Sequence, residues 1–396
     1  MNISKKAWNV ASASVALGAM VASMAGTASA APAAGVSAST FNRNFSTMAS
    51  LKAIAAKGNG GIGAILPDTI TSNRYVDFDA PYLTRAMKAA GVPAKDIQII
   101  NAHGSDSTEV ADAEADVSRG DKVLIMDPLD APTGIKIEQY AASHGVKVID
   151  YDRLTLGGSR AYYDSFNNVR VGTLLGQGLV SCISSWHIKS PDVLEMHGAV
   201  TDNNATLFYN GYNAVLQPYF NKHIYKLAGR PAGTWTPSVA QTEFEQAFTR
   251  DPHINAILTP NDENNAPIIT YLISKGIKPH TIATTGQDAT PQGLGNILTG
   301  YQCGTVYKPI YLEAQAAVAL AVYLRAGMTP PAALVNGKTL DSTEHKMVPS
   351  VLLPPEWVTT SDMRSTVIAD GFVSPAVLCK APNATAAACK AAGINP

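Results

Sequence analysis

Short apolar runs and amphipathic segments alternate along this chain from Gly61 onward. Residues 61–66, 96–101, 122–126 and 146–150 are brief apolar runs that read as strands. Between them, 79–90, 109–119 and 134–144 repeat apolar positions at helical spacing. A second series sets helices 170–186, 205–220, 239–249, 264–275, 291–298 and 310–325 between strands 192–197, 223–227, 254–258, 281–284 and 303–307. Such alternation predicts parallel sheets covered on both faces by helices. The units are too many for one comfortable open sheet. The polar Gly/Ser/Tyr-rich stretch 155–168 divides the series and reads as a crossing between two α/β lobes. The lobes would face each other across a cleft, joined by a hinge. Residues 31–57 are Ala/Ser-rich with little pattern and read as a leader arm.

Polar signatures stand where the apolar runs end. They are Leu66-Pro67-Asp68, Tyr151-Asp152-Arg153, Thr201-Asp202-Asn203-Asn204, Pro260-Asn261-Asp262, Gly286-Gln287-Asp288 and Tyr307-Lys308-Pro309. In open α/β sheets, ligands bind outside the carboxyl ends of the strands. These ends therefore predict one polar site made of Asp, Asn, Arg and Lys. The set is split by the crossing, so the site would be complete only when the lobes close.

Composition narrows the setting. Lys5 and Lys6, the apolar stretch 8–24 and Ala28-Ser29-Ala30 fit a secretory signal with its cleavage site, which assigns 1–30 to a signal peptide and the protein to an exported compartment. Net charge is −1 with scattered basic residues, which gives no electrostatic footprint for nucleic acid. Hydrophobic residues make up 46% of the chain, enough for a core in each lobe. Export permits disulfides. Cys379 and Cys389 flank a short segment and predict a local clip. Cys182 and Cys303 would pair only where a helix meets a distant strand, and the sequence leaves that pair open against two free thiols.

Other chemistries find little support. Gly58-Asn59-Gly60-Gly61-Ile62-Gly63 has the letters of a dinucleotide fingerprint, but it runs into a strand where the fingerprint opens a helix. No H-E-x-x-H, Cys/His cluster, calcium loop or nucleophile elbow occurs, so neither a metal nor a cofactor is expected. A carboxylate pair of the glycosidase kind and a Schiff-base Lys308 compete with a simpler reading, a binding site for a neutral polyol.

Taken together, the signatures resemble the D-xylose-binding protein family, the periplasmic sugar-binding components of ABC transporters with the type I two-lobed fold. The resemblance runs from about Gly61 to Phe372. It rests on 148–153 before the crossing, Ser165-Phe166-Asn167-Asn168 after it, Asp202-Asn203-Asn204-Ala205, Trp235 with Pro237, Asn261-Asp262, Gly286-Gln287-Asp288-Ala289, 306–310, Val348-Pro349-Ser350 and Asp370-Gly371-Phe372. The family's fold is two Rossmann-like α/β lobes with parallel sheets joined by a three-strand hinge. That implies an N-terminal lobe of 61–163 plus 308–347, after a leader arm of 31–60. The C-terminal lobe and tail would be 164–307 plus 348–396.

The resemblance also implies sugar contacts from Arg74, Asp152 and Arg153 in the first lobe. The second lobe would add Asp202, Asn204, Trp235, Asn261 and Asp288, and Lys308 would sit on a crossing strand. Asp68 occupies a position where the family also has an acidic residue. The implied protein is a periplasmic monomer that is not an enzyme. It would bind D-xylose or another aldose (glucose, galactose, arabinose, ribose) and serve an ABC permease, or act as a sensor for a membrane receptor. Arg74 and Arg153 would each fork onto two neighbouring sugar oxygens. Three departures bear on the choice of sugar: Tyr75 in place of Trp, the acidic Asp127 and Asp130, and Asn264-Asn265 after the Asn261-Asp262 pair.

Overall fold

The computed structural model describes residues 35–395, so the expected signal peptide lies outside the described residues. Chain order opens with α1 (Lys52–Ala55), β1 (Ile62–Leu66), α2 (Ala80–Ala89), β2 (Ile97–Asn101), α3 (Asp106–Arg119), β3 (Val123–Met126), α4 (Ala131–Ser143), β4 (Lys147–Tyr151) and β5 (Tyr162–Phe166). Next come α5 (Asn168–Ser185), β6 (Asp192–Glu195), α6 (Asn203–Asn221), β7 (Lys226–Gly229), α7 (Pro237–Arg250), β8 (Ala256–Leu258), α8 (Asp262–Ser274), β9 (Ala283–Thr284), β10 (Gly286–Gln287), α9 (Pro291–Leu298) and β11 (Thr305–Tyr307). The chain closes with α10 (Ile310–Arg325), β12 (Gly337–Asp341), β13 (Lys346–Leu353), β14 (Glu356–Val358), α11 (Pro375–Leu378) and α12 (Ala386–Ala391).

One lobe is built on a seven-stranded sheet of order β12-β13-β5-β4-β3-β1-β2, parallel except for the β12–β13 hairpin. The other holds a parallel sheet β7-β6-β8-β9 and a small sheet β10-β11-β14. The central strands β1 (IGAIL) and β3 (VLIM) are buried along their whole length, which is why they read as unbroken apolar runs. The apolar stretch of α10 is buried too, from Ala314 through Val322, so this helix is apolar on every side because it is enclosed. No helix among the described residues is long and apolar enough to cross a membrane.

The chain passes between the lobes three times. It leaves β5 for α5 at Asn167, returns from β11 to α10 through Lys308-Pro309, and leaves β13 for β14 through Pro354-Pro355. Proline fixes φ and stiffens two of these passages.

Three expectations are corrected. The stretch 155–168 contains β5, which pairs with β4 and β13 inside the larger sheet. Tyr163, Asp164, Ser165 and Phe166 are all buried there; the polar pair in mid-strand hid it. The arm is part of the first lobe, since Phe41, Phe45, Met48 and Leu51 enter its core and Gln315 donates to the Asn42 carbonyl. β13 runs without a break through the expected crossing at 347/348. Both disulfides are present: the clip Cys379–Cys389, and Cys182 of α5 with Cys303 just before β11.

Candidate functional site

Helix caps explain how short polar words become a site. Asp202 and Asn261 are the N-caps of α6 and α8, each accepting from a backbone N–H of the first turn. That fixes both residues at the carboxyl ends of β6 and β8. Asp152 and Asp288 follow β4 and β10 in the left-handed region, at φ 57° and 85°. A non-glycine residue held there carries strain that clusters at functional sites, and Asp tolerates it better than most. Arg74 precedes a π-type turn, Tyr75–Asp79, that leads into α2.

These elements enclose a small cavity between the lobes. All nine expected residues line it. Arg74, Asp152 and Arg153 come from the first lobe, Asp202, Asn204, Trp235, Asn261 and Asp288 from the second, and Lys308 from a crossing segment. Asp68 does not line it. Its carboxylate accepts from the Ile70 and Thr71 N–H groups at 2.8 and 2.7 Å and so shapes the loop before Arg74. Tyr75, marked by the sequence as a departure bearing on the sugar, also lines it, while the sequence reading missed Thr71, Ser72, Phe208 and Gln287 as lining residues. Two had a readable signal: Gln287 adjoins Asp288, and Phe208 lies one helical turn beyond Asn204.

The first-lobe half is an ion-pair network. Arg74 forks onto Asp79 at 2.9 and 2.8 Å, and also donates to Glu313 at 2.6 Å and Asp152 at 2.9 Å. Four of its five N–H groups are thereby engaged. This corrects the expectation of a fork onto two sugar oxygens, because a single N–H remains. Arg153 is held by the Tyr75 hydroxyl at 3.1 Å, the Pro128 carbonyl at 3.3 Å and the carboxylates of Asp202 and Asp127 at 3.5 and 3.7 Å. Tyr75 also donates to Asp152 at 3.3 Å, so it ties both arginine positions to one carboxylate. Burial alone would push Asp152 up, but Arg74, Lys308 and Arg153 outweigh it and hold the carboxyl at about 2. Burial raises Asp127 well above the usual range, against the pull of Arg153.

In the second lobe, Trp235 Nε1 donates to Asp202 at 3.0 Å, while Asp202 caps the Asn204 N–H at 2.8 Å. The Trp235 ring lies against Gly198, where an added Cβ would meet it at 2.2 Å. Asn204 donates to the Asp152 carbonyl at 3.0 Å and so reaches across to the first lobe. Asp262 does not line the cavity. It accepts from Thr290 N–H, Gln302 and Thr305 at 2.9, 2.7 and 3.1 Å, bracing the loop that carries Asp288. Burial pushes its carboxyl up to about 7.

The three cations and three carboxylates lining the cavity balance. Lys308 stands between Asp288 at 3.1 Å and Asp152 at 3.8 Å. Oε1 of Gln287 has no hydrogen-bond partner in the protein, and Oδ1 of Asp288 meets only the Lys308 ammonium. Acceptors, cationic donors and an aromatic wall around a charge-balanced enclosure suit a ligand whose groups each donate and accept, such as a polyol. No three His, Cys, Asp or Glu side chains among the described residues are grouped to hold a metal ion.

Comparison with known proteins bears on the family. The model of the periplasmic binding protein domain matches residues 62–328. The D-xylose-binding periplasmic protein of Escherichia coli (strain K12) is 33% identical over 287 residues, covering 72% of this chain and 83% of that protein. The multiple sugar-binding periplasmic receptor of Rhizobium radiobacter is 32% identical over 336 residues, covering 80% and 92%. Among solved structures, a carbohydrate transporter solute binding protein from Chloroflexus aurantiacus in complex with D-glucose has a TM-score of 0.71 at 27% identity, covering 80% of this chain and 97% of that one.

Proposed function

We propose that this chain, which belongs to the D-xylose-binding family of periplasmic binding proteins, captures a neutral monosaccharide, D-xylose foremost, between its lobes and delivers it to an ABC transporter permease. One observation carries the reading: a charge-balanced polar cavity with an aromatic wall, contributed by both lobes and a crossing segment. The names of the two curated relatives support a sugar. The signal-like N-terminus and the two disulfides support an oxidising, exported setting.

In this reading, Asp152, Asp202 and Asp288 accept from sugar hydroxyls. Arg153, Lys308 and the last N–H of Arg74 donate, Asn204 and Asn261 help orient them, and the C–H face of the ring packs on Trp235. Sugar touches both lobes, so it favours the closed state by the difference in its affinity for the two states. The closed form is then the one presented to the permease, and the chain leaves the sugar chemically unchanged.

A second reading keeps the mechanism and changes the sugar. The glucose-bound relative at 27% identity favours a hexose. A site built to bond a hydroxyl rejects an analogue lacking it strongly, and an extra CH2OH mainly by volume. A thermal-shift panel of pentoses, hexoses and hexuronates separates the readings. The proposal expects the largest shift with D-xylose and none with hexuronates. A hexose shift exceeding that of D-xylose selects the second reading, and no shift with any sugar rejects both.

A further inference from the structure

Ser72 lies on the loop between β1 and α2, and Glu263 lies in the first turn of α8 in the opposite lobe. The Ser72 hydroxyl donates to Glu263 Oε1 at 2.9 Å, across 191 residues of sequence. Neither residue belongs to a crossing segment. The loop is rigid on the Ser72 side, because Asp68 caps the Ile70 and Thr71 N–H groups. On the other side, Glu263 does not line the cavity, and its second oxygen, Oε2, is shielded from solvent with no hydrogen-bond partner. A rigid loop in one lobe thus meets an enclosed carboxyl in the other.

From this geometry we infer that Ser72 and Glu263 form a proton-linked closing latch, in which Glu263 is a positioning residue that holds the lobes together without touching the sugar. The inference rests on the binding reading above. The contact joins two lobes that move as bodies, so it exists only when they are closed. Opening returns the Glu263 carboxyl to water.

Closure therefore changes how readily that group holds its proton. Burial pushes the Glu263 carboxyl well above the usual range, and Asp288 and its own neighbour Asp262 push it further. Asp288 faces it from the segment after β10, with the Lys308 ammonium beyond at 3.1 Å from Asp288. Ser72, from the loop after β1, brings only a neutral hydroxyl. The closed state thus binds the proton more tightly than the open state does. Closing takes up a proton, and sugar affinity falls as pH rises from the open-state value to the closed-state value, by at most about tenfold per pH unit for a single group.

The test is stopped-flow and calorimetric binding of D-xylose from about pH 5 to about pH 9 with wild type, Glu263→Ala and Glu263→Gln. Glu263→Ala should dissociate about fivefold to tenfold faster with an unchanged association rate. Glu263→Gln keeps an acceptor for Ser72 and cannot ionise. It should restore slow dissociation and lose the part of the pH dependence carried by this group. Wild-type dissociation and pH profiles in both variants would overturn the latch. If no sugar binds at all, the functional reading fails on its own, and the latch is read by X-ray scattering of the sugar-free protein. The radius of gyration should then fall on acidification in wild type and stay constant in Glu263→Ala; identical behaviour in both overturns it.

Discussion

Lys308→Met removes one charge from the centre of the site and keeps most of the side chain's volume. The ammonium is buried between Asp288 at 3.1 Å and Asp152 at 3.8 Å. Asp152 is held at about 2 instead of 3.8, a depression worth about 2.5 kcal/mol at 1.36 kcal/mol per unit. Arg74 is the largest of the three cations responsible and Lys308 the second. Asp288 loses its cation as well, so the sugar-free protein should lose about 3–5 kcal/mol at neutral pH. The sign follows from linkage. A carboxyl with a depressed folded pKa contributes stability above its unfolded value and loses it as pH falls toward the folded one. The variant should therefore show a smaller acid-induced loss between about pH 4 and about pH 2. Losing a charged donor to the sugar should raise Kd at least about tenfold. Urea unfolding without sugar and calorimetry with D-xylose read the two effects. Unchanged unfolding together with a Kd within twofold of wild type would refute the placement of Lys308 at the centre of the network.

The remaining predictions concern the wall, the staples and the buried acids. Gly198→Ala places a methyl 2.2 Å from the Trp235 ring; the ring must swing away, weakening sugar binding while tryptophan fluorescence reports its new setting, and an unchanged spectrum with unchanged affinity contradicts this. Replacing Cys182 and Cys303 by serine opens a staple that spans 121 residues against 10 for Cys379–Cys389, so the loop-entropy model gives losses of about 5 and about 3 kcal/mol; a reversed order in urea midpoints contradicts it. Burial raises Asp262 to about 7 and Glu109 to about 8, so folding holds these protons more tightly than the unfolded chain. Their stabilisation is fully present below the ordinary carboxylate range and is lost progressively as pH rises from that range up to about 7 to 8. Melting temperature should decline over that interval, and Glu109→Gln should flatten the upper part of the decline.

Much of this architecture was legible because strand burial and helix capping leave local marks. The buried runs of β1 and β3, and the capping residues Asp202 and Asn261 at strand ends, needed only neighbours in sequence. What stayed hidden depends on partners far along the chain. β5 carries the polar pair Asp164-Ser165 at its centre and declares itself only when it is inserted between β4 and β13. The arm looked featureless because only Met48 and Leu51 lie within a 3₁₀ turn, while Phe41 and Phe45 stand between two short turns and reach the core without a helical repeat. The same limit applied within the site. Arg74 was recognisable as a binding arginine, but nothing local showed that Asp79 and Glu313 engage its fork, since Glu313 sits 239 residues away. The Cys182–Cys303 pair was undecided for the same reason: only the fold brings α5 beside the segment before β11.

The central claim is that a sugar is held between the lobes by groups from both. Calorimetric titration of D-xylose into the wild-type chain, Arg153→Ala and Asp288→Ala tests it most directly, because the two residues lie in opposite lobes. The account expects saturable one-to-one binding by wild type and loss of measurable binding in each variant, with both variants still folded by circular dichroism. Wild-type affinity retained in both variants would contradict it.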